Sequence, residues 1–309
     1  MKNCLEYYYN IKVDNIHHVD DKYMFEENGY EYVFSSNYSS PSVINMLYEF
    51  SNQLLQRGIY CNQIILNKNQ EAITLLDGKQ YILICSYKGL NKNITMDDIF
   101  LFSQINMEYN SLNHSDWKKL WITKLDYLEY QISQFGINHP VLRNSFNYFS
   151  AFVETAIQLL NEINLKDEKL FLSHRRVKYS TTLYDLYSPL NLIVDYKIRD
   201  LCEYIKSQLF QKKTLSEVIE LESMTHYYLQ SFNLSVNEIQ LFFVRLLYPS
   251  EYFDMFEDII TTNISDSDNK QLNHIIELAD NYEKFVKDIY NYYFDKNYLP
   301  FVEWLREIN

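Results

Sequence analysis

The sequence predicts an α+β protein in two lobes, a small sheet carrying one helix and then a mainly helical lobe with a few strands. Two observations set out the first lobe. The turn dipeptides Asn28-Gly29 and Asp77-Gly78 each lie between runs of β-forming residues, and Ser40-Pro41 opens an amphipathic stretch between those turns. A third sets out the second lobe: beyond the polar break KGLNKN, residues 88 to 93, the apolar residues recur at helical spacing.

In chain order, KYMFEE and YEYVFSS flank Asn28-Gly29, and EAITLL and KQYILICSY flank Asp77-Gly78. Both dipeptides favour the positive φ of a two-residue hairpin turn. Between them Ser40 is placed as an N-cap and Pro41 in the first turn of a helix that Gly58 ends, with Val43, Leu47, Phe50 and Leu54 as its apolar stripe. The expected first lobe is residues 1–87, the hinge 88–93 and the helical lobe 94–309. In the latter, residues 115 to 134 put Trp117, Leu120, Trp121, Leu125 and Leu128 at helical spacing, and Phe146 to Ile163 do the same with Phe149, Val153, Ile157 and Leu160. Three runs, EKLFLSH, TTLYDLY and NLIVDY, read as strands.

Composition narrows the function classes. With 309 residues, 47% of them hydrophobic, the chain can bury a sizeable core. Forty-one acidic residues against 28 Lys plus Arg give a net charge of −13, which argues against nucleic acid or an anionic membrane as partner. Cys4, Cys61, Cys85 and Cys202 have no C-x-x-C spacing, so we expect reduced thiols without zinc or a disulfide framework. The first 21 residues lack the layout of a signal peptide, and no stretch has the length of a membrane span, so the expected location is the cytosol. The 29 tyrosines fit an AT-rich codon bias better than an oxidative cross-linking substrate. His17-His18 has no partner at metal spacing and reads as a strand edge. The motifs G-x-S-x-G, H-E-x-x-H and G-x-G-x-x-G are absent, which removes three enzyme classes.

A small sheet with one helix, a hinge and a helical lobe is the layout of a protein-kinase-like fold. The segments DWKKLWITKLDYLE (116–129), FNYFSAFVETAIQLL (146–160), LSHRR followed by LIVDYKIRDLCEYIK, VRLLYPSEYFDMFE (244–257) and FVEWL (301–305) carry a closer resemblance. The chain resembles the bacterial spore-coat kinase-like proteins of the CotS and YutH type, a branch similar to the aminoglycoside and choline phosphotransferases. That resemblance implies a two-lobed kinase-like fold of that phosphotransferase type, Mg and ATP as candidate cofactors, and spore-coat or other proteins as partners, with the spore coat as a second location.

Active phosphotransferases of this fold carry H-x-D-x-x-x-x-N, whose Asp orients or deprotonates the acceptor and whose Asn holds magnesium, and a later Asp that binds the bridging metal. His174 matches the His. The Asp position falls on Arg176, which cannot accept a proton, and the Asn position on Thr181. The resemblance makes Asp195 the metal-binding Asp and Asp200 the structural Asp that anchors the loop, preceded by Arg199. In the first lobe no Lys lies between Lys22 and Lys68 to contact phosphates, no glycine-rich loop is present, and Glu49 alone sits where a helix carboxylate would hold that Lys.

Each residue also has a plainer reading. Asp195 pairs with Arg175, Arg176 or Arg199 instead of a metal. His174 shapes a loop, Glu49 is a solvated helix residue, and Trp117, Trp121 and Phe149 are core. Three functions follow: a catalytically degenerate kinase-like protein that works by binding; an active phosphotransferase with Asp195 on magnesium and Asp185 as a displaced base; and a nucleotide- or metabolite-binding regulator. We expect the first.

Overall fold

The two turn dipeptides do close hairpins. In the computed structural model, which describes residues 1–19, 21–166, 168–262, 265, 266 and 269–306, Asn28 and Gly29 have φ of 50° and 87°, and Asp77 and Gly78 have 48° and 77°. The first turn joins β2 (Lys22–Glu27) to β3 (Tyr30–Ser36) and the second joins β5 (Thr74–Leu76) to β6 (Lys79–Tyr87). With β1 (His17–Val19) and β4 (Gln63–Ile65) they form an antiparallel sheet of order β1-β2-β3-β6-β4, β5 also pairing with β6. His17 and His18 lie exposed on the edge strand, as expected.

Helix α1 (Lys2–Tyr9) is an element the sequence reading did not anticipate. Its Leu5 and Tyr9, with Val13, bury against Phe25, Phe34 and Leu83 on one side of the sheet. Only those two helical positions are buried, so no long apolar stripe announced it. This cover explains why β3 and β6 bury consecutive residues, Val33-Phe34 and Ile82-Leu83-Ile84, instead of alternating ones. Helix α2 (Pro41–Gln56) starts after Ser40 as expected, although Ser40 makes no side-chain cap. Its buried stripe is Ile44, Leu47, Phe50, Ser51 and Leu54, so the stripe begins at Ile44 and not at Val43.

In the second part of the chain come α3 (Met96–Phe102), α4 (Trp117–Phe135), α5 (Pro140–Leu160), β7 (Leu170–His174), α6 (Leu183–Leu186), β8 (Leu192–Tyr196), α7 (Arg199–Leu209), α8 (Leu215–Ser231), α9 (Val236–Leu246), α10 (Ser250–Thr262), α11 (Lys270–Glu277) and α12 (Ala279–Phe294). Leu120 and Ile157, both assigned to apolar stripes, stay at least partly exposed. TTLYDLY is not a strand. Thr182 caps the short helix α6 by accepting from the Asp185 backbone N–H, which overrides the β preference of its residues.

Met1–Ile94 and Ser180–Leu192 form one compact unit, and Thr95–Tyr179 with Ile193–Asn309 the other. The segment holding α6, which the sequence places inside 94–309, is thus grouped with the first unit. In the second unit α7 packs on α3, α8, α9 and β7, and α5 on α4 and α9. Capping boxes at Thr95/Asp98, Thr214/Glu217 and Ser235/Glu238 fix the starts of α3, α8 and α9. Among the described residues no helix is long and apolar enough to cross a membrane.

Candidate functional site

Strands β7 and β8 pair as a two-stranded sheet. Every residue of β8 is buried, LIVDY included, so Asp195 enters the interior with its strand. A buried carboxylate needs partners. Asp195 is 0% exposed, and both its oxygens are engaged: Oδ2 accepts from Arg199 Nη1 at 2.7 Å and from Trp117 Nε1 at 3.1 Å, and Oδ1 accepts from the Tyr196 backbone N–H at 2.7 Å. Burial pushes the Asp195 carboxyl above its usual range, and the Arg199 and Arg245 guanidiniums offset only part of that.

Arg199 opens α7, four residues after Asp195. Besides that carboxylate it donates from Nε to the His174 carbonyl at 2.9 Å and from Nη2 to the Arg175 carbonyl at 3.3 Å. Asp200, next in the same turn, accepts from the His174 backbone N–H at 3.1 Å and meets His174 Nδ1 at 2.7 Å. His174 is buried, with its ring edge-on to Phe102 at 4.7 Å. Residues 174, 195, 199 and 200 thus come together: Arg199 and Asp200 tie the end of β7 to the start of α7, and Asp195 joins β8 to the same helical turn.

Behind them lies a second charged group that the sequence reading missed. Glu203 Oε1 accepts from Arg245 Nε at 2.6 Å and pairs with Lys206 Nζ at 2.8 Å, while its Oε2 accepts from Ser250 Oγ at 2.8 Å. Lys206 also donates to the carbonyls of Arg245 and Tyr248. Burial would raise the Glu203 pKa, but Arg245, Lys206 and Arg199 hold it well below the usual carboxylate range. The Arg245 guanidinium sits 5.2 Å from the Trp117 ring, 5.7 Å from Trp121 and 5.6 Å from Tyr248, within cation–π range of all three. Trp117 is core, as read, but it also supplies a hydrogen bond to the site. The available signal was a Glu, a Lys and an Arg lying on otherwise apolar faces of EYIKSQL and LFFVRLL. The half-buried His114 stands near this group, and burial followed by the charges of Arg175, Arg199 and Arg245 lowers its pKa to about 4.

The remaining candidates are engaged elsewhere or lie outside this cluster. Arg176, which the resemblance sets at the position of the proton acceptor, donates from Nη2 to Asp254 Oδ1 at 2.8 Å. Lys178 likewise pairs with Glu251 of α10 at 2.8 Å. Thr181 belongs to the first unit, where its carbonyl accepts from the Ile94 N–H at 2.9 Å. Asp185, the candidate displaced base, receives a hydrogen bond from the Thr182 hydroxyl at 2.8 Å within the cap of α6. Glu49 is exposed on α2.

These residues do not fit a divalent metal at Asp195. Both carboxylate oxygens already accept from donors, the Arg199 guanidinium lies 2.7 Å from Oδ2, and Arg245 adds a second positive charge nearby, whereas Mg requires free oxygen ligands in near-octahedral array. Among the described residues no group of three or more His, Cys, Asp or Glu side chains is arranged to hold a metal ion.

Comparison with known proteins agrees with the architecture. A family model described as spore coat putative kinase YutH matches residues 2–289. The endospore coat-associated protein YutH of Bacillus subtilis (strain 168) is 27% identical over 214 residues, 61% of this chain, and the match spans 61% of that relative's length. Among solved structures, an aminoglycoside phosphotransferase from Alicyclobacillus acidocaldarius superposes with a TM-score of 0.66 at 10% identity, covering 92% of this chain and 93% of that one. A spectinomycin phosphotransferase bound to ADP and spectinomycin gives 0.56 at 15% identity, covering 96% and 98%. At these identities the two structures speak to the fold, which is that of the aminoglycoside phosphotransferases.

Proposed function

The chain belongs to the spore coat putative kinase family of the YutH type, and on that premise we propose that it is a catalytically degenerate kinase-like protein that works by binding other coat proteins. The observation that carries this reading is Arg176. It stands where the fold's phosphotransferases place the carboxylate that takes the acceptor's proton, and its guanidinium is committed to Asp254. A guanidinium stays protonated in proteins, so it cannot act as that base. The part Asp185 plays in the cap of α6 and the donors on Asp195 favour this reading over the active-enzyme one. The relative's description as endospore coat-associated supports the location.

The test has two arms. Purified protein is incubated with labelled ATP and Mg, and spores of the source organism are fractionated and probed for the chain. We expect no turnover, and recovery in the coat fraction. Turnover abolished by Asp195→Asn would reverse the catalytic part of the reading. Detection in vegetative cells alone would remove the coat assignment.

A further inference from the structure

We propose that Arg199 is the resident cation of the Asp195 site, its guanidinium filling an oxygen cage made by the Asp195 carboxylate and the backbone carbonyls of His174 and Arg175. The inference rests on the non-catalytic reading above and goes further by assigning what occupies the site. Three oxygens converge on one side chain: Asp195 Oδ2 at 2.7 Å from Nη1, the His174 carbonyl at 2.9 Å from Nε, and the Arg175 carbonyl at 3.3 Å from Nη2. A carboxylate with backbone carbonyls is the ligand chemistry that hard divalent cations take. Here each of the three guanidinium nitrogens answers one of those oxygens, which a planar fork with fixed donor directions is suited to do.

The chain builds this cage locally. Strand β8 ends at Tyr196 and α7 begins at Arg199, so the short link Lys197-Ile198 returns the guanidinium onto the strand's own carboxylate. Asp200 fixes the other wall, because it accepts the His174 backbone N–H and so holds the strand end that presents the two carbonyls. Arg245, the other buried guanidinium nearby, has its Nε on Glu203, which leaves Arg199 as the cation in direct contact with Asp195. With Arg199 only 6% exposed and permanently protonated, this counter-charge neither exchanges with solvent nor depends on metal supply.

The experiment compares the full chain with Arg199→Ala, Asp195→Asn and the double variant Arg199→Ala/Asp195→Asn. Each is unfolded thermally in metal-free buffer and in millimolar Mg²⁺, Ca²⁺ or guanidinium ion. Wild type is expected to show no cation-dependent rise. Arg199→Ala is expected to melt lower and to recover by several degrees, saturably, with at least one of these cations, while the double variant does not recover. Should Arg199→Ala not fold without a cation, its refolding yield with and without Ca²⁺ gives the same comparison. The proposal is overturned if wild type gains a saturable Mg²⁺ shift that Asp195→Asn abolishes, or if Arg199→Ala responds to no cation more than the double variant. Either result leaves the non-catalytic reading standing, since that one falls only on ATP turnover.

Discussion

At the scale of single residues, the second unit concentrates charge where most of its neighbours are apolar, and this sets a pH response. His114 titrates at about 4 in the folded chain against 6.5 for an ordinary histidine, because burial and then the guanidiniums of Arg175, Arg199 and Arg245 disfavour its proton. As pH falls below 6.5 the unfolded chain takes up this proton and the folded chain does not, so stability declines until about pH 4 and then levels off for this group. His114→Asn should flatten the stability profile between those limits, read from urea unfolding at several pH values. Glu203 acts in a lower window. Its folded pKa is depressed below 4.5, so the contribution of the Arg245–Glu203–Lys206 group is complete above that value and is lost as pH falls beneath it. Glu203→Gln is expected to lower stability at neutral pH by about 3 kcal/mol or more, because it leaves the charges of Arg245 and Lys206 buried without their shared carboxylate, and to lose the acid decline below pH 4.5. An unchanged acid decline in that variant would move its origin to other carboxylates.

At the scale of elements, turn chemistry made the sheet legible and burial pattern decided the rest. Gly78 has φ of 77°, and nothing lies within 4 Å of where a Cβ would stand, so a substitution there meets backbone strain and no clash. Gly78→Ala should therefore cost about 1 to 2 kcal/mol with the sheet's circular dichroism unchanged, whereas a cost near zero would mean the turn relaxes freely. The same dipeptide logic located both hairpins from the sequence, because Asn-Gly and Asp-Gly carry a local backbone requirement. Helix α1 escaped because only its Leu5 and Tyr9 are buried, with Tyr8 half-buried beside them, which is too short an apolar pattern to announce a helix. TTLYDLY was misread because alternating β-forming residues cannot reveal that Thr182 and Asp185 cap one helical turn. In the site, the Asp195–Arg199 pair lies four residues apart and was among the pairings foreseen. Trp117, 78 residues from Asp195, and the Arg245–Glu203 pair, 42 apart, depend on how α4, α7 and α9 pack. Local spacing carries no record of such contacts.

At the scale of the whole molecule, the chain has the fold of the aminoglycoside phosphotransferases, and the proposed degeneracy has parts that need not be equivalent. On the reading proposed above, Arg176 and Thr181 stand where the motif has Asp and Asn, and Asp and Asn can be placed there by substitution. The proposed Arg199 cage differs, because it adds a permanent cation to Asp195, the carboxylate that the resemblance assigns to the metal. Restoring the base should then leave the metal carboxylate still occupied. We expect Arg176→Asp/Thr181→Asn to fold, with a stability loss of about 1 kcal/mol or more, because it removes the Arg176–Asp254 pair and sets a like charge opposite the half-buried Asp254, and still to turn over no labelled ATP. Thermal unfolding in Mg·ATP separates the causes, since a ligand at about a hundred times its dissociation constant would stabilise the fold by about 2.7 kcal/mol. No shift in the double variant means that Asp195 remains unavailable or that the first lobe, without a Lys between Lys22 and Lys68, holds no nucleotide. A shift lost on Asp195→Asn would show that carboxylate serving a ligand despite its guanidinium, and turnover would locate the whole defect in the missing base.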